Sequence, residues 1–383
     1  MALHSMTLNG PVIAVCGTRP ELIKTAPVLR ELDRVGIPNQ LILTGQHDEL
    51  VAGLCEFFEI TNYSTLECQR KGTELNGLLS ALLEVLNAEF LEIQPSFVLV
   101  QGDTTSALAG AITGFHLGRP VAHIEAGLRT GNIKSPFPEE ANRRIISQIA
   151  SLHFSPTVGA TNNLLSEGVN KNTIVEVGNT IVDATQYAID KIQDHPGTPD
   201  ARPYSVITIH RRESWGADIT SILDAIKFLA KGDTSHIFKF VMHANPALQL
   251  MVRAELGGYA NIELLLPLRY PDFVALISRA SMIFSDSGGI QEEAPTLGVP
   301  TVILRNRTER PEAIEIDACR LGTTKTETII DVVLNWQDEI KMGKWKSSGI
   351  NPFGDGKAAI KIVKALQDFS DHSDHSQRSG GNS

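Results

Sequence analysis

The stretch Ser285-Asp286-Ser287-Gly288-Gly289-Ile290-Gln291-Glu292-Glu293-Ala294-Pro295 follows the apolar run Met282-Ile283-Phe284 and asks two different things of a ligand. A strand leading through Ser287-Gly288-Gly289 into a helix that starts near Ile290 presents free backbone N–H groups and a positive dipole end, which suits a phosphate. Glycines let an anion approach the backbone. Glu292 and Glu293 follow within the first turn, where acidic residues also favour the helix itself. A carboxylate beside bound phosphate has a second use, because its acceptor oxygens can take hydrogen bonds from a vicinal diol. Phosphate and diol together describe a nucleotide ribose. The stretch is neither a GxGxxG fingerprint nor a P-loop, so nicotinamide and P-loop ATP are poor readings.

Other residues able to do chemistry stand where strands end. Arg19 lies just after the first strand, Asp103 closes "FVLVQGD", Glu125 closes "VAHIE", His210 closes "SVITIH" and His243 follows "KFVM". In open α/β sheets ligands bind beyond the carboxyl ends of the strands. Taken singly, each residue has a plainer role. Asp103 before Thr104-Thr105 suits a helix N-cap. Glu125 could be a paired structural carboxylate, His210 a hydrogen-bonded core histidine, and Arg19 a charge that neutralises a helix terminus. Their joint placement at strand ends points instead to a cleft lined from two sides.

The elements that must carry these residues can be read from the pattern. Val12–Cys16, "QLILTG", Phe97–Val100, "PVAHIEAG", "SLHFSP" and "TIVEVGN" read as strands separated by helical stretches. A second set follows: "SVITIH", "KFVMHA", "IELLLP", "SMIFSD" and "PTVIL". Such alternation means α/β with parallel sheets, in two Rossmann-like, doubly wound domains facing a central cleft. The expected boundaries are 11–172 and 173–356, with "DHPGTPDARP" at 194–203 as a linker or surface loop and 371–383 as a disordered tail. Thr18 can cap the first helix and Pro20 suits its first turn, while Pro27 inside it predicts a kink near the binding loop.

Bulk properties narrow the class. The chain of 383 residues carries a net charge of −10, which disfavours a nucleic-acid or anionic-membrane partner. No apolar run suffices to span a bilayer, the first residues lack the plan of a secretory signal, and the four scattered cysteines form no CxxC pair. A cytoplasmic protein with reduced thiols and no structural zinc is the expectation.

The motifs "GTRPELIK", "TGQH", "GDTTSALA", "HIEAGLRTG", "SPFPEEANRR", "VGNTIVDA", "HRRES", "DSGGIQEEAPTLGVP", "TERPEA" and "NPFGDGKA" run from Gly17 to about Gly356. Together they resemble the non-hydrolysing UDP-N-acetylglucosamine 2-epimerases, which have the two-domain glycosyltransferase-B architecture. The resemblance implies reversible elimination of UDP from the sugar to a bound glycal, then re-addition with inversion at C2, giving UDP-N-acetylmannosamine. It implies acid/base roles for Asp103, Glu125 and Glu139, and a place for His210 near the leaving diphosphate. It implies ligand contacts for Arg19, Lys24 and Arg310, phosphate binding by Ser287, Gly288 and Gly289, a ribose-binding carboxylate at Glu293 and a uracil contact at Phe273. His243 and Arg212 join the substrate-binding set. It also implies a homodimer, and a C-terminal helix at 357–370 that packs back on the first domain.

The chemistry agrees with these residue types. The C2 proton is weakly acidic and needs a positioned base, and inversion needs proton traffic on two faces. Arg19, His210, Arg211 or Arg212 and a helix N-terminus can stabilise the leaving diphosphate. No cofactor is expected, because nothing is oxidised, and no metal-ligand cluster is apparent. Of Glu139 and Glu140, one is expected to face the site and the other to pair with Arg143 or Arg144. Gln46, His47, Gln69 and Arg211 match parts of a second, activating substrate site, although "CQRKGTEL" departs from the usual "QPGQ"-like stretch. The same chemistry on another UDP-2-acetamido sugar, such as a UDP-2,3-diacetamido-glucuronic acid, is the alternative. A hydrolysing epimerase, a glycosyltransferase and a nucleotide-sugar sensor are the remaining readings.

Overall fold

Short apolar runs rich in Val, Ile and Leu become strands covered on both faces, as a parallel sheet requires. The computed structural model describes residues 10–45, 49–68, 74–194, 202–209 and 217–379. It divides into two compact units, Met1–Ala184 with Phe353–Ser383, and Thr185–Pro352.

The first unit contains β1 (Val12–Cys16), α1 (Arg19–Arg34), β2 (Asn39–Leu43), α2 (Glu49–Phe57), β3 (Tyr63–Thr65), α3 (Leu75–Ile93) and β4 (Phe97–Gln101). It continues through α4 (Thr105–His116), β5 (Val121–Ile124), α5 (Glu139–Ile149), β6 (Leu152–Ser155), α6 (Val158–Ser166), β7 (Ile174–Glu176) and the start of α7 (Thr180–Asp194). Its seven-stranded sheet has the order β3-β2-β1-β4-β5-β6-β7, and every pairing is parallel.

The second unit contains β8 (Tyr204–Thr208), α8 (Ala217–Gly232), β9 (Ile237–Val241), α9 (Pro246–Leu256), β10 (Ile262–Leu265) and α10 (Tyr270–Ser278). After these come β11 (Met282–Ser285), α11 (Gly288–Leu297), β12 (Thr301–Ile303), α12 (Pro311–Glu315), β13 (Cys319–Leu321) and α13 (Thr326–Lys341). Its six strands run in the order β10-β9-β8-β11-β12-β13, again all parallel. One buried cluster includes Phe240, Phe284 and Trp336, and another includes Val206, Ile283 and Ile290. The chain returns to the first unit and ends in α14 (Ala358–Ser379), which packs on α1.

Strand order reverses between β1 and β4 in one unit and between β8 and β11 in the other. These are the switch points at which diverging loops open a crevice. Arg19 follows β1, Asp103 follows β4 and Ser287 follows β11. His210 comes after β8 in the chain and lies outside the described residues, as do Gln46, His47, Gln69, Arg211 and Arg212.

Several boundaries differ from the sequence expectation. β7 pairs with β6, so the first unit runs past residue 172 to Ala184. The edge strands β3 and β13 were not expected; each is three residues long and only partly buried, and neither stands in an apolar run like those of the strands that were read. α14 continues past residue 370 to Ser379, because the polar run there holds no glycine or proline before Gly380. α1 remains one helix through Pro27. Most of the expected linker, 195–201, lies outside the described residues. Among the described residues no helix is long and apolar enough to cross a membrane, and no group of three or more His, Cys, Asp or Glu could hold a metal ion.

Candidate active site

In the first unit the site is built on the ends of β1, β4 and β5 and the first turn of α5. The turn after β1 places Thr18 as N-cap of α1 and Glu21 in its first turn. Glu21 is 2% exposed, and its two oxygens accept from Gly17 N at 3.1 Å and Thr104 Oγ1 at 2.6 Å. Burial pushes its carboxyl up to about 7, against the opposing effect of those donors. Glu21 therefore ties the loop that carries Arg19 to the loop that carries Asp103. Arg19 stands at the start of α1 with its Nε buried and without a hydrogen-bond partner.

Asp103 is not the cap of α4. Thr104 takes that place, accepting from Ala107 N at 3.1 Å, and so frees the Asp103 side chain. Arg143 grips it, with Nη2 at 2.6 Å and Nε at 2.7 Å from Oδ2, while Asn142 Nδ2 donates to its backbone carbonyl at 2.8 Å. Both partners lie on α5, so the first turns of that helix set the Asp103 loop. His123 adds a tie from β5, its Nε2–H donating to Gly102 O at 2.8 Å. Burial drives this imidazole down to about 3 and keeps it neutral.

Glu125 follows β5 with a φ of +66°, the left-handed region that a residue with a Cβ seldom occupies. Its Oε2 accepts from Lys24 Nζ, from Gln101 Nε2 at 3.1 Å and from Asn179 Nδ2 at 3.4 Å. Lys24, read from the sequence as a ligand contact, is thus also the counter-ion of Glu125.

Glu139 and Glu140 open α5 and part company there. Glu140 is fully buried and accepts from Thr130 N, Arg143 Nη1 and Arg144 Nη2 at 3.1, 3.2 and 3.4 Å. Glu139 is half-buried, and its Oε2 is buried without a hydrogen-bond partner.

In the second unit Ser287 is the N-cap of α11, and its own N–H donates to Ser285 Oγ at 3.0 Å. The N–H groups of the first turn are those that a helix leaves without an intrahelical partner. At Gly289 an added Cβ would find only Ser287 Oγ, at 3.8 Å. At Gly288 it would lie 2.7 Å from Arg310 Nη1 and 2.9 Å from Cζ. The close approach that requires Gly288 is therefore made by Arg310. That guanidinium is 8% exposed and held by Glu292 at 2.5 Å, with Glu309 at 3.7 Å. Gln291 bridges Ser287 O and Thr308 Oγ1, and Thr308 accepts from Arg310 N, so the loop and the helix start form one framework.

Glu293 is 5% exposed and lies beside the buried Tyr270 hydroxyl. Burial first, then the Glu293 charge, holds the Tyr270 phenol well above its ordinary range. His243 follows β9; its Nδ1 accepts from Asn245 N at 3.0 Å, which leaves Nε2 to carry the proton in the neutral ring. Phe273 is half-buried on α10 against the cluster that includes Ile283 and Ile290.

Sequence reasoning did not single out Glu21, Gln101, Asn179 or Tyr270, and it named Arg143 only as a partner for a glutamate. Gln101 and Asn179 stand inside "FVLVQGD" and "VGNTIVDA", but an amide in a motif carries no signal of which carboxylate it meets.

The profile of the family described as UDP-N-acetylglucosamine 2-epimerase matches residues 30–367. A UDP-N-acetylglucosamine 2-epimerase of Neisseria meningitidis serogroup A is 37% identical over 366 residues, spanning 93% of this chain and 98% of that one. The crystal structure of a Neisseria meningitidis UDP-GlcNAc 2-epimerase bound to UDP-GlcNAc superposes with a TM-score of 0.88 at 37% identity, covering 94% of this chain and 100% of that one. The Methanocaldococcus jannaschii enzyme in complex with UDP-GlcNAc and UDP gives 0.80 at 33% identity, covering 93% and 99%. With its parallel sheets, its strand-end carboxylates and its glycine-led helix, the chain belongs to the UDP-N-acetylglucosamine 2-epimerase family.

Proposed function

We propose that this chain interconverts UDP-N-acetylglucosamine and UDP-N-acetylmannosamine by eliminating UDP across C1–C2 and adding it back. A base takes the C2 proton, the C–H electron pair becomes the C1=C2 bond, and the C1–O bond breaks with its pair leaving on UDP. Return of UDP and delivery of a proton to the opposite face complete the inversion. The steps are redox-neutral and call for no nicotinamide. Asp103, Glu125 and Glu139 carry the protons. Arg19, Arg310 and the start of α11 meet the diphosphate, with Lys24, His210, Arg212 and His243 in support. Ser287, Gly288 and Gly289 hold phosphate, Glu293 the ribose diol, and Phe273 packs near the base. The enzyme acts in the cytoplasm as a homodimer, in the making of a cell-surface polysaccharide precursor.

The observation that carries this reading is the state of three carboxylates, two at strand ends and one at the start of α5. Asp103 is freed from capping and gripped along one oxygen, Glu125 is fixed through one oxygen, and Glu139 keeps a buried oxygen without a partner. Positioned, partly desolvated carboxylates are what abstraction of a weakly acidic proton demands.

Proton NMR of the protein with UDP-N-acetylglucosamine in deuterated water tests it. Manno signals with deuterium at C2, and no lasting release of UDP, are expected. Accumulating UDP would replace the reading with a hydrolysing one. Absence of exchange would remove this sugar as substrate, and the diacetamido-uronate would be offered next.

A further inference from the structure

Among the described residues, every hydrogen bond to the Glu125 side chain goes to one oxygen. Lys24 Nζ, Gln101 Nε2 and Asn179 Nδ2 converge on Oε2, from α1, the last residue of β4 and the turn before α7. All three donors are buried, Gln101 at 4% and Asn179 at 3% exposure. The orientation of the Asn179 amide is settled by its other end, where Oδ1 accepts from Ile181 N at 3.1 Å as a cap of α7. Nδ2 must then face Glu125. Its backbone is fixed as well, Asn179 N donating to Phe353 O at 2.6 Å. The Glu125 backbone is pinned on both flanks, by Gly102 N to Ile124 O and by Ala126 N to Phe154 O, each at 3.0 Å.

We infer that Gln101 and Asn179 are positioning residues of the epimerisation, an inference that rests on the function proposed above. They hold Glu125 Oε2 so that Oε1 alone exchanges the proton. An ammonium is a point charge that a carboxylate can meet through either oxygen, so Lys24 alone does not choose between them. Two rigid amides aimed at Oε2 do. The proton from C2 passes to Oε1, the C–H pair closes the C1=C2 bond, and UDP departs with the C1–O pair.

The substitutions Gln101→Met and Asn179→Asp remove one donor each. The first keeps the volume and the second keeps the cap on α7. In each variant kcat is expected to fall ten-fold or more, with KM for UDP-N-acetylglucosamine within three-fold of wild type. In a Glu125→Gln background, where the slow residual rate is read as deuterium incorporation at C2, neither substitution should lower it further. An equal fall in both backgrounds would make the two amides merely structural, and unchanged kcat in the single variants would overturn the inference. Crystal structures of the two variants decide the anchor apart from activity. The Glu125 carboxylate should turn away from its place between Lys24, Gln101 and Asn179, and an unmoved carboxylate overturns the anchor. A wild-type protein that does not turn over the sugar would defeat the proposed function and leave the crystallographic result to judge the anchor.

Discussion

Glu139 and Glu140 are neighbours in the chain and opposites in the fold. Glu140 spends its carboxylate on Thr130, Arg143 and Arg144, whereas Glu139 keeps a buried oxygen without a partner. Glu139→Gln should lower kcat by roughly 100-fold or more, the scale of a lost acid/base group, with the melting temperature unchanged. Glu140→Ala should instead destabilise the protein by ~3 kcal/mol, because it strips buried Arg143 of one of its two carboxylates. Thermal unfolding and steady-state rates on the same two samples separate these outcomes. Glu21 adds a pH dependence. Its carboxyl is raised from 4.5 to about 7, so the folded protein binds its proton more tightly than the unfolded chain. The stability this contributes is complete below pH 4.5 and is lost as pH rises through 7, a loss of about 3 kcal/mol in full. Glu21→Gln removes the titrating group while keeping one acceptor oxygen for Gly17 N and turning an amide donor toward the Thr104 hydroxyl, so its melting temperature should fall less between pH 5 and pH 8 than that of wild type. Parallel curves for the two proteins would refute this. Residue types at strand ends were legible in the sequence; their partners were not. Asp103 reads as a cap until Thr104 is seen to take the cap, a choice made by local geometry that the string Asp-Thr-Thr leaves open.

At the scale of elements, α11 shows how two adjacent glycines can be required for different reasons. The sequence reads both as an opening for phosphate. In the fold, Gly288 makes room for Arg310, whereas a Cβ at Gly289 would meet only Ser287 Oγ, at 3.8 Å. Gly288→Ala should push the guanidinium off its place against the helix start and break its 2.5 Å pairing with Glu292. UDP affinity measured by calorimetry is expected to drop at least ten-fold, together with a loss of thermal stability. Gly289→Ala should leave stability untouched and weaken UDP alone, since its methyl group would make only an ordinary contact with Ser287 Oγ, at 3.8 Å, and would stand where phosphate is proposed to bind. Equal losses of stability in the two variants would contradict the distinction. The central strands were legible because each is a buried apolar run bounded by turn residues, such as Val12–Cys16 or Met282–Ser285. The edges were not. β3 is half-exposed, so its residues alternate with nothing, and β13 hides in a segment that reads as irregular.

At the scale of the whole molecule, the second unit is a continuous piece of chain and the first is not. Composition suggested a break near residue 172 or in the proline-rich 194–203 stretch, yet the division falls at 184 and 185, inside α7. A helix that crosses a boundary carries no turn residues to announce it. The consequence is that the first unit depends on the far end of the sequence. Ile362, Val363 and Leu366 on α14 are at most 2% exposed, and the Phe369 ring meets Phe97 edge-on at 5.5 Å. Burial of three such aliphatic side chains contributes ~1.5–3 kcal/mol each, a sum of the same order as the ~5–15 kcal/mol that holds a domain folded. Asp183 also caps α14, accepting from Ala359 N at 2.9 Å and Ala358 N at 3.3 Å. A chain ending at Pro352 should therefore lose the first unit selectively. Among the described residues, two buried clusters of the second unit lie wholly between Tyr204 and Trp345 and lose no member to the truncation. Hydrogen exchange read by mass spectrometry is expected to show β1, β4 and α1 unprotected while β8, β9 and β11 stay protected. Activity should vanish although UDP binding survives. Uniform loss of protection across both sheets would mean that the second unit cannot stand without the first, and that the two fold as one.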